Sequence, residues 1–234
     1  MTFKFYSFLI FISVFNCINP SKDLPKESLN LLSFVNPFIG TGGHGHTFPG
    51  ATLPFGMMQL SPDTRLDGWD GCSGYHYSDT YIYGFSHTHL SGTGVSDYGD
   101  ILLMPSNKVI FNNGSDGKEG YKTLFSHENE IAEPGYYKVA LDRINVGAEL
   151  TVSKRSGMHK YQYASPENQF LILDLAHRDQ LLDYKIQKID PYSLSGYRHS
   201  KAWAENQQLY YYIQFSHPIK KITYELSDNA NGTK

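Results

Sequence analysis

Residues 135–163, with the sequence GYYKVALDRINVGAELTVSKRSGMHKYQY, indicate the fold class of this 234-residue chain. Aromatic and β-branched residues, which favour strands, recur here in three short stretches separated by turn-forming residues. These stretches are 135–141, 148–153 and 158–163. Similar stretches follow at 170–175, 193–198, 209–215 and 222–226. Because no long helical period separates them, they predict an all-β fold, an antiparallel β-sandwich.

Upstream of these strands, residues 35–105 combine frequent glycines with histidines, aspartates and one tryptophan, Trp69. The best strand candidates in this region are 81–86 and 101–104, and the rest is predicted to be loops. Glycine and proline give such loops their turns and their stiffness. A ring face can stack on the apolar C–H face of a sugar, while short polar groups bond its hydroxyls. The composition is therefore typical of a sugar-binding surface.

The charge balance argues against a nucleic-acid partner. The formal net charge is −3, and no run of lysine and arginine is longer than a pair. Nucleic-acid binding needs a concentrated basic face, which this chain lacks. The length is sufficient for one all-β domain with a sizeable core.

The first residues predict export. Lys4 precedes an apolar run over residues 5–15 that is too short to span a bilayer, and a polar stretch follows it. We interpret residues 1–17 as a signal peptide, residues 18–34 as a tether and residues 35–234 as the folded domain. The expected location is the periplasm or the cell surface.

Cys17 lies where the apolar run ends, which is where a bacterial lipoprotein would be acylated. The preceding Val14, Phe15 and Asn16 fit a lipobox imperfectly, so lipidation remains an open alternative. It is the one membrane association that we expect. The other cysteine, Cys72, is more typical of a buried, inert thiol than of a nucleophile.

Two pairs of histidines share an H-x-H spacing, His44 with His46 and His87 with His89. On an extended segment such imidazoles point the same way, as at the start of many zinc sites. Because no third-ligand motif accompanies them, we assign no metal ligand. Hydrogen-bonding, substrate-facing and purely structural roles all remain open for these histidines.

The aspartates of this region suggest a glycosidase acid/base pair, but most aspartates beside glycine and serine cap turns through the backbone. Asp70 and Asp97 are the two that a functional role suits best, and neither is assigned to catalysis. Trp69 is the best candidate for stacking on a sugar, with a plug at the sandwich end as the alternative. Trp203 has a weaker case.

Three ordered motifs resemble the amino-terminal part of glycoside hydrolase family 92, a family of exo-acting α-mannosidases. They are VNPFIGTGGHGHTFPGATLPFGMMQLSPD (35–63), GWDGCSGYHYSD (68–79) and GFSHTHLSGTG (84–94). The resemblance implies a β-sandwich of the galactose mutarotase or supersandwich kind, packed on a carboxy-terminal (α/α)6 barrel. It also implies an inverting, calcium-dependent reaction between the two domains.

In the family the catalytic acid and base and the calcium ligands lie in the barrel, which this sequence lacks. The resemblance thus implies no catalytic residue and no metal ligand in this chain, and no calcium bound by this chain alone. It implies contacts with an α-mannoside glycan from the sandwich loops. The matching positions are Gly42, Gly43, His44, Trp69, Asp70, His87, His89 and Asp97.

The leading hypothesis is the sugar-contacting sandwich half of an exported α-mannosidase, inactive alone and incomplete at its carboxy end. One alternative is a stand-alone, lipid-anchored protein of the cell surface that binds mannan. Another is an interaction domain that docks a separately encoded catalytic barrel in trans.

Overall fold

The computed structural model describes residues 29–225. Strands and loops dominate this part, with four single-turn 3-10 helices: Leu31–Phe34, Trp69–Gly71, His127–Asn129 and Asp142–Ile144. The described residues include no helix long and apolar enough to cross a membrane. The predicted signal peptide, Cys17 and most of the predicted tether lie outside the described residues.

Fourteen strands run through the described residues. They are β1 (Ala51–Thr52), β2 (Gln59–Asp63), β3 (Tyr81–Ile82), β4 (Gly84–Ser86), β5 (Leu102–Ser106), β6 (Thr123–Leu124), β7 (Glu130–Glu133), β8 (Tyr136–Leu141), β9 (Val146–Val152), β10 (Gly157–Tyr163), β11 (Phe170–Asp174), β12 (Gln180–Asp190), β13 (Ser193–Lys201) and β14 (Gln207–Gln214). Every pairing between them is antiparallel. The predicted all-β, antiparallel sandwich class is confirmed.

Two sheets enclose the main core. One has the strand order β1-β2-β4-β5-β11 and the other β10-β9-β8-β7. Buried side chains of the first, such as Phe85 and Met104, share one cluster with Tyr137, Val139 and Leu150 of the second. In β8 and β9 every second residue is buried, as the alternation of side chains in a strand requires. Each buried valine or leucine side chain of these strands contributes about 1.5–3 kcal/mol through burial.

A third sheet, with the order β12-β13-β14, has a smaller core around Ile101, Leu175 and Leu181. Arg198 of β13 ties it to the sandwich, because this buried side chain donates to the carboxylate of Asp100 and to the Leu175 carbonyl. Both charged groups are almost fully buried, and the pairing compensates part of the cost of removing them from water. The fourth, two-stranded sheet pairs β3 with β6.

Two sequence predictions differ from the structure, and one long strand was not predicted. Residues 222–225 form no strand, although 222–226 was predicted as one; Leu226 lies outside the described residues. The predicted strand 81–86 is two short strands, β3 and β4, which belong to different sheets. The eleven-residue β12 was not predicted, because two register irregularities, between Leu181 and Asp183 and between Lys188 and Asp190, break its alternation.

Candidate functional site

The loop that carries His44 and His46 meets the 3-10 helix Trp69–Gly71, and we call His44, His46, Trp69 and Asp70 the loop corner. The Nδ1 atom of His44 lies 2.6 Å from Oδ1 of Asp70. The Nε2 atom of His46 lies 3.4 Å from the same carboxylate oxygen. Two imidazoles from one motif therefore converge on a carboxylate from the next motif, more than twenty residues away.

Local backbone geometry builds this corner. A side chain at Gly45 would overlap the Gly40 carbonyl oxygen, which lies 2.1 Å from the position of its Cβ. His46 has a positive φ of 54°, a conformation that is costly for a residue with a side chain and that clusters at functional sites. Gly68, with φ of 82°, turns the chain into the short helix. His76 stabilises the loop, because its Nε2 donates to the Gly43 carbonyl at 3.1 Å.

Trp69 is fixed in place although 62% of its surface is exposed. Its ring centroid lies 5.0 Å from that of His46 in an edge-to-face arrangement. Gly94 lies directly against the six-membered part of the indole, where a Cβ would come within 2.2 Å of ring atoms. A glycine is needed there for the indole to lie close to the chain. The structure thus presents a held aromatic surface to solvent.

The carboxyl group of Asp70 is ionised at neutral pH. The hydrogen bond from His44 is the main cause that lowers its pKa below the usual range. Asp70 is therefore suited to accept hydrogen bonds from hydroxyls, and unsuited to the role of a general acid, which needs a raised pKa.

Of the eight predicted site residues, the loop corner contains His44, Trp69 and Asp70, with Gly42 and Gly43 just before them in the same loop. Thr41, next to Gly42, is tied to the second motif by the bond from the Tyr77 backbone amide to its carbonyl. His46 belongs to the corner but was not selected from the sequence. The H-x-H spacing with His44 was a signal that could have indicated this residue. The position of Asp70 beside both histidines could not be read from the sequence.

His87 and His89 are not among the groups that converge on Asp70, and they do not point the same way. His89 is buried; its Nδ1 donates to the Gln59 carbonyl at 2.7 Å, and its Nε2 lies 3.4 Å from Oδ1 of Asp63. His87 turns instead toward His159 of β10, with 2.9 Å between the two Nε2 atoms. The expected common direction fails because the chain bends at His87, directly after β4.

The His87–His159 contact has a defined order of protons. His87 Nδ1 donates to the Ile101 carbonyl, so its Nε2 must accept from His159. His159 Nδ1 then accepts from the Tyr161 hydroxyl. Both imidazoles are neutral in this chain of bonds. Desolvation lowers the pKa of His87 to about 4 and that of His159 well below the usual value.

Asp97 is buried, and its carboxylate links its own loop to the connection between β13 and β14. Its Oδ1 accepts from the Tyr98 amide at 3.0 Å, and its Oδ2 accepts from the Ala204 amide at 2.9 Å. The second bond reaches the connection between β13 and β14. A contact between sugar and His87, His89 or Asp97 remains a prediction. The burial of His89 and Asp97 favours roles in holding the loops, and His87 is half-buried.

The donor set of the described residues does not fit the calcium that the resemblance implies. Calcium takes six to eight oxygen ligands, largely carboxylates and carbonyls. Within residues 29–225, the one group of three or more histidine, cysteine or acidic side chains whose ligand atoms all lie within 4.8 Å of one another is His44, His46 and Asp70, which offers two nitrogens. We therefore assign no calcium ligand among these residues.

A family model described as the glycosyl hydrolase family 92 N-terminal domain matches residues 34–234. A family GH92 α-mannosidase from Bacteroides thetaiotaomicron, solved with mannoimidazole, is 36% identical with a TM-score of 0.75. The alignment covers 81% of this chain and 26% of that one. A family GH92 inverting mannosidase from the same species is 25% identical with a TM-score of 0.68, over 83% of this chain and 26% of that one.

An uncharacterized secreted glycosidase from Arthroderma benhamiae is 31% identical over 142 residues. The match covers 57% of this chain and 17% of the fungal protein. The chain therefore spans about a quarter or less of the length of these relatives.

Proposed function

The chain belongs to glycosyl hydrolase family 92, and from this premise we propose that it supplies the sugar-contacting loops of an exported α-mannosidase-like glycoside hydrolase. The proposed ligand is the terminal residue of an α-mannoside glycan. Export is supported by the apolar run at residues 5–15 and by a relative that carries the description secreted.

The observation that carries the proposal is the held, exposed indole of Trp69 beside an ionised carboxylate. The indole offers a face for the C–H side of a pyranose ring. Asp70 accepts hydrogen bonds from sugar hydroxyls, and His44 lies within hydrogen-bonding distance of it. The corner is an open surface and encloses a sugar on one side only, so binding by this chain alone is expected to be weak.

Catalysis requires more than this corner supplies. An inverting glycosidase needs an acid with a raised pKa and a separate base that activates water. Asp70 has a lowered pKa, which suits a binding role. We therefore propose that hydrolysis depends on groups outside residues 29–225, in a partner (α/α)6 domain, and that calcium is held there.

The first experiment measures hydrolysis of an α-linked mannobiose by the full chain, with calcium and with a chelator. No turnover is expected in either condition. Calcium-dependent turnover would contradict the proposal, because the acid and base would then lie within this chain.

Sugar binding is measured separately by fluorescence. The sequence has two tryptophans, so a Trp203→Phe chain reports on Trp69 alone. Mannose at millimolar concentration should change this emission, and glucose should change it less. Asp70→Asn in the same background should remove most of the response. An equal response with Asp70→Asn would contradict the assigned role of the corner.

A second candidate function, docking of a separately encoded catalytic domain, is favoured by the aromatic face of β14. Tyr210 and Tyr212 point outward and are 69% and 60% exposed. Exposed aromatic side chains in a row are typical of interaction surfaces. Co-expression with a family barrel would restore calcium-dependent hydrolysis if this function holds. Saturable binding to mannan at micromolar levels without a barrel would instead favour the stand-alone receptor.

A further inference from the structure

We propose that His44, His46 and Asp70 form a binding site for a divalent transition metal of the zinc class. The site goes beyond the sugar-contacting role and does not rest on it. Sequence spacing supplied two imidazoles without a third ligand, and the fold supplies the third, Asp70.

The spacing of the three donors suits a zinc ion. All three ligand atoms lie within 4.8 Å of one another. In a tetrahedral site with bonds of about 2.0–2.1 Å, neighbouring ligand atoms are roughly 3.3 Å apart. Oδ1 of Asp70 and Nε2 of His46 already have this separation, 3.4 Å. His44 is closer to the carboxylate, at 2.6 Å, as a hydrogen bond requires.

His44 has room to adjust. Its side chain is 80% exposed, so a shift of roughly 0.7 Å away from Asp70 meets little resistance and brings its Nδ1 to ligand spacing.

His46 gives an independent indication of a ligand. The side chain is only 7% exposed, and its buried Nε2 has no hydrogen-bond partner among residues 29–225. A buried polar atom left without a partner costs about 1–3 kcal/mol. The residue also holds a positive φ, a conformation found at ligand-binding positions. A metal ion between Nε2 and Asp70 would satisfy the nitrogen.

The donor chemistry selects the class of metal. Two imidazole nitrogens and one carboxylate oxygen suit zinc and its neighbours in the first transition series, whereas magnesium and calcium prefer oxygen donors. Three protein ligands leave one position open in a tetrahedral site. His44 and Trp69 are both exposed, so an open position on their side of the site could be reached from solvent.

The test is titration of the full, reduced chain with Co²⁺, followed by displacement with Zn²⁺. We expect one equivalent of Co²⁺ to give the visible absorption of a tetrahedral N/O site, and Zn²⁺ to remove it. Ca²⁺ at the same concentration should not remove the absorption. Absorption from a cobalt–thiolate bond would show that Cys17 or Cys72 is the ligand and would overturn the proposal.

Matched variants locate the site. His44→Ala and Asp70→Asn should each weaken binding by tenfold or more, while His217→Ala, an exposed histidine on the connection after β14, should not. His46→Asn tolerates the positive φ and removes the nitrogen ligand, so it should also weaken binding. Circular dichroism checks that each variant is folded.

Folded wild-type protein that binds no Co²⁺ at 100 μM would overturn the proposal. Equal binding by the Asp70→Asn chain, or lost binding in the His217→Ala chain, would overturn it as well.

Discussion

The two H-x-H pairs have the same spacing in sequence, but the structure places them in different surroundings. His44 and His46 converge on Asp70 at an exposed corner, whereas His87 and His89 turn apart, toward β10 and β2. In the corner, Asp70 is ionised and open to hydroxyls or cations. In the interior, His89 lies 3.4 Å from the buried carboxylate of Asp63, and His87 pairs with His159. Neighbours brought from distant parts of the chain, and not the spacing itself, decide what a histidine pair does.

The interior half of this comparison depends on Asp63. Its carboxylate is fully buried between His89 and His177, each 3.4 Å away, and these two histidines are the main groups that lower its pKa against the effect of burial. Arg178 lies 3.9 Å away. Positive charge and imidazole nitrogens around one buried carboxylate hold β2, the loop after β4 and the segment before β12 together.

The largest expected effect is that of Asp63→Asn. Removal of the charge leaves its buried partners uncompensated, so the free energy of unfolding should fall by about 3 kcal/mol or more. Urea unfolding at pH 7 measures it. The exposed Asp116→Asn serves as the control and should change stability by less than about 0.5 kcal/mol. An Asp63→Asn chain as stable as the wild type would show that the interior charges are not coupled.

The next effect is a loss of stability in mild acid. The pKa of His87 in the folded state is about 4, below its ordinary value of 6.5, so the unfolded chain takes up the proton first as the pH falls. The contribution of neutral His87 to the free energy of unfolding is fully present above pH 6.5 and is lost between pH 6.5 and about 4. The loss is on the order of 2–3 kcal/mol. Unfolding of the wild type and of His87→Gln from pH 7 to 4.5 measures it.

The His87→Gln chain should lose less stability than the wild type over that range. Parallel pH profiles for the two chains would contradict the assignment to His87.

A smaller effect, of opposite sign, is expected at Asp179. Burial raises the pKa of this carboxyl to about 6, so its ionisation destabilises the folded state, and stability falls as pH rises from 3.8 to 6. Asn accepts the positive φ of 62° found there. Asp179→Asn should therefore raise the free energy of unfolding at pH 7.5 by about 1–2 kcal/mol. No gain at pH 7.5, or an equal gain at pH 4, would contradict this.

The smallest stability effect is expected at the corner. Trp69→Ala removes an exposed ring that contacts His46 and Gly94, so it should cost less than about 1 kcal/mol. In the same chain the sugar response should be lost. Thermal unfolding measures the change in stability, and calorimetric titration with mannose measures the loss of sugar binding. A large loss of stability would mean that Trp69 is a plug for the sandwich end and not a binding platform.

Prediction from sequence was successful where local pattern decides structure. The strands β8 to β11, β13 and β14 follow runs of aromatic and β-branched residues, and a pleated backbone places such side chains on a core. It failed at β12, where bulges break the alternation, and at 222–225, which pair with no strand among residues 29–225. A strand needs a neighbour, and composition does not show whether one exists.

For the site, the sequence showed that histidines, aspartates and Trp69 are concentrated between glycines in residues 35–105, and its motifs indicated the family to which the chain belongs. Only the tertiary structure decided that Asp70 faces His44 and His46, that Gly94 lies under Trp69, and that His87 pairs with His159. The physical reason is distance along the chain. Hydrophobic alternation and turn chemistry act over a few residues and are legible in sequence. The pKa of a carboxylate, the burial of an imidazole and the convergence of ligands depend on groups tens of residues away, which only folding brings together.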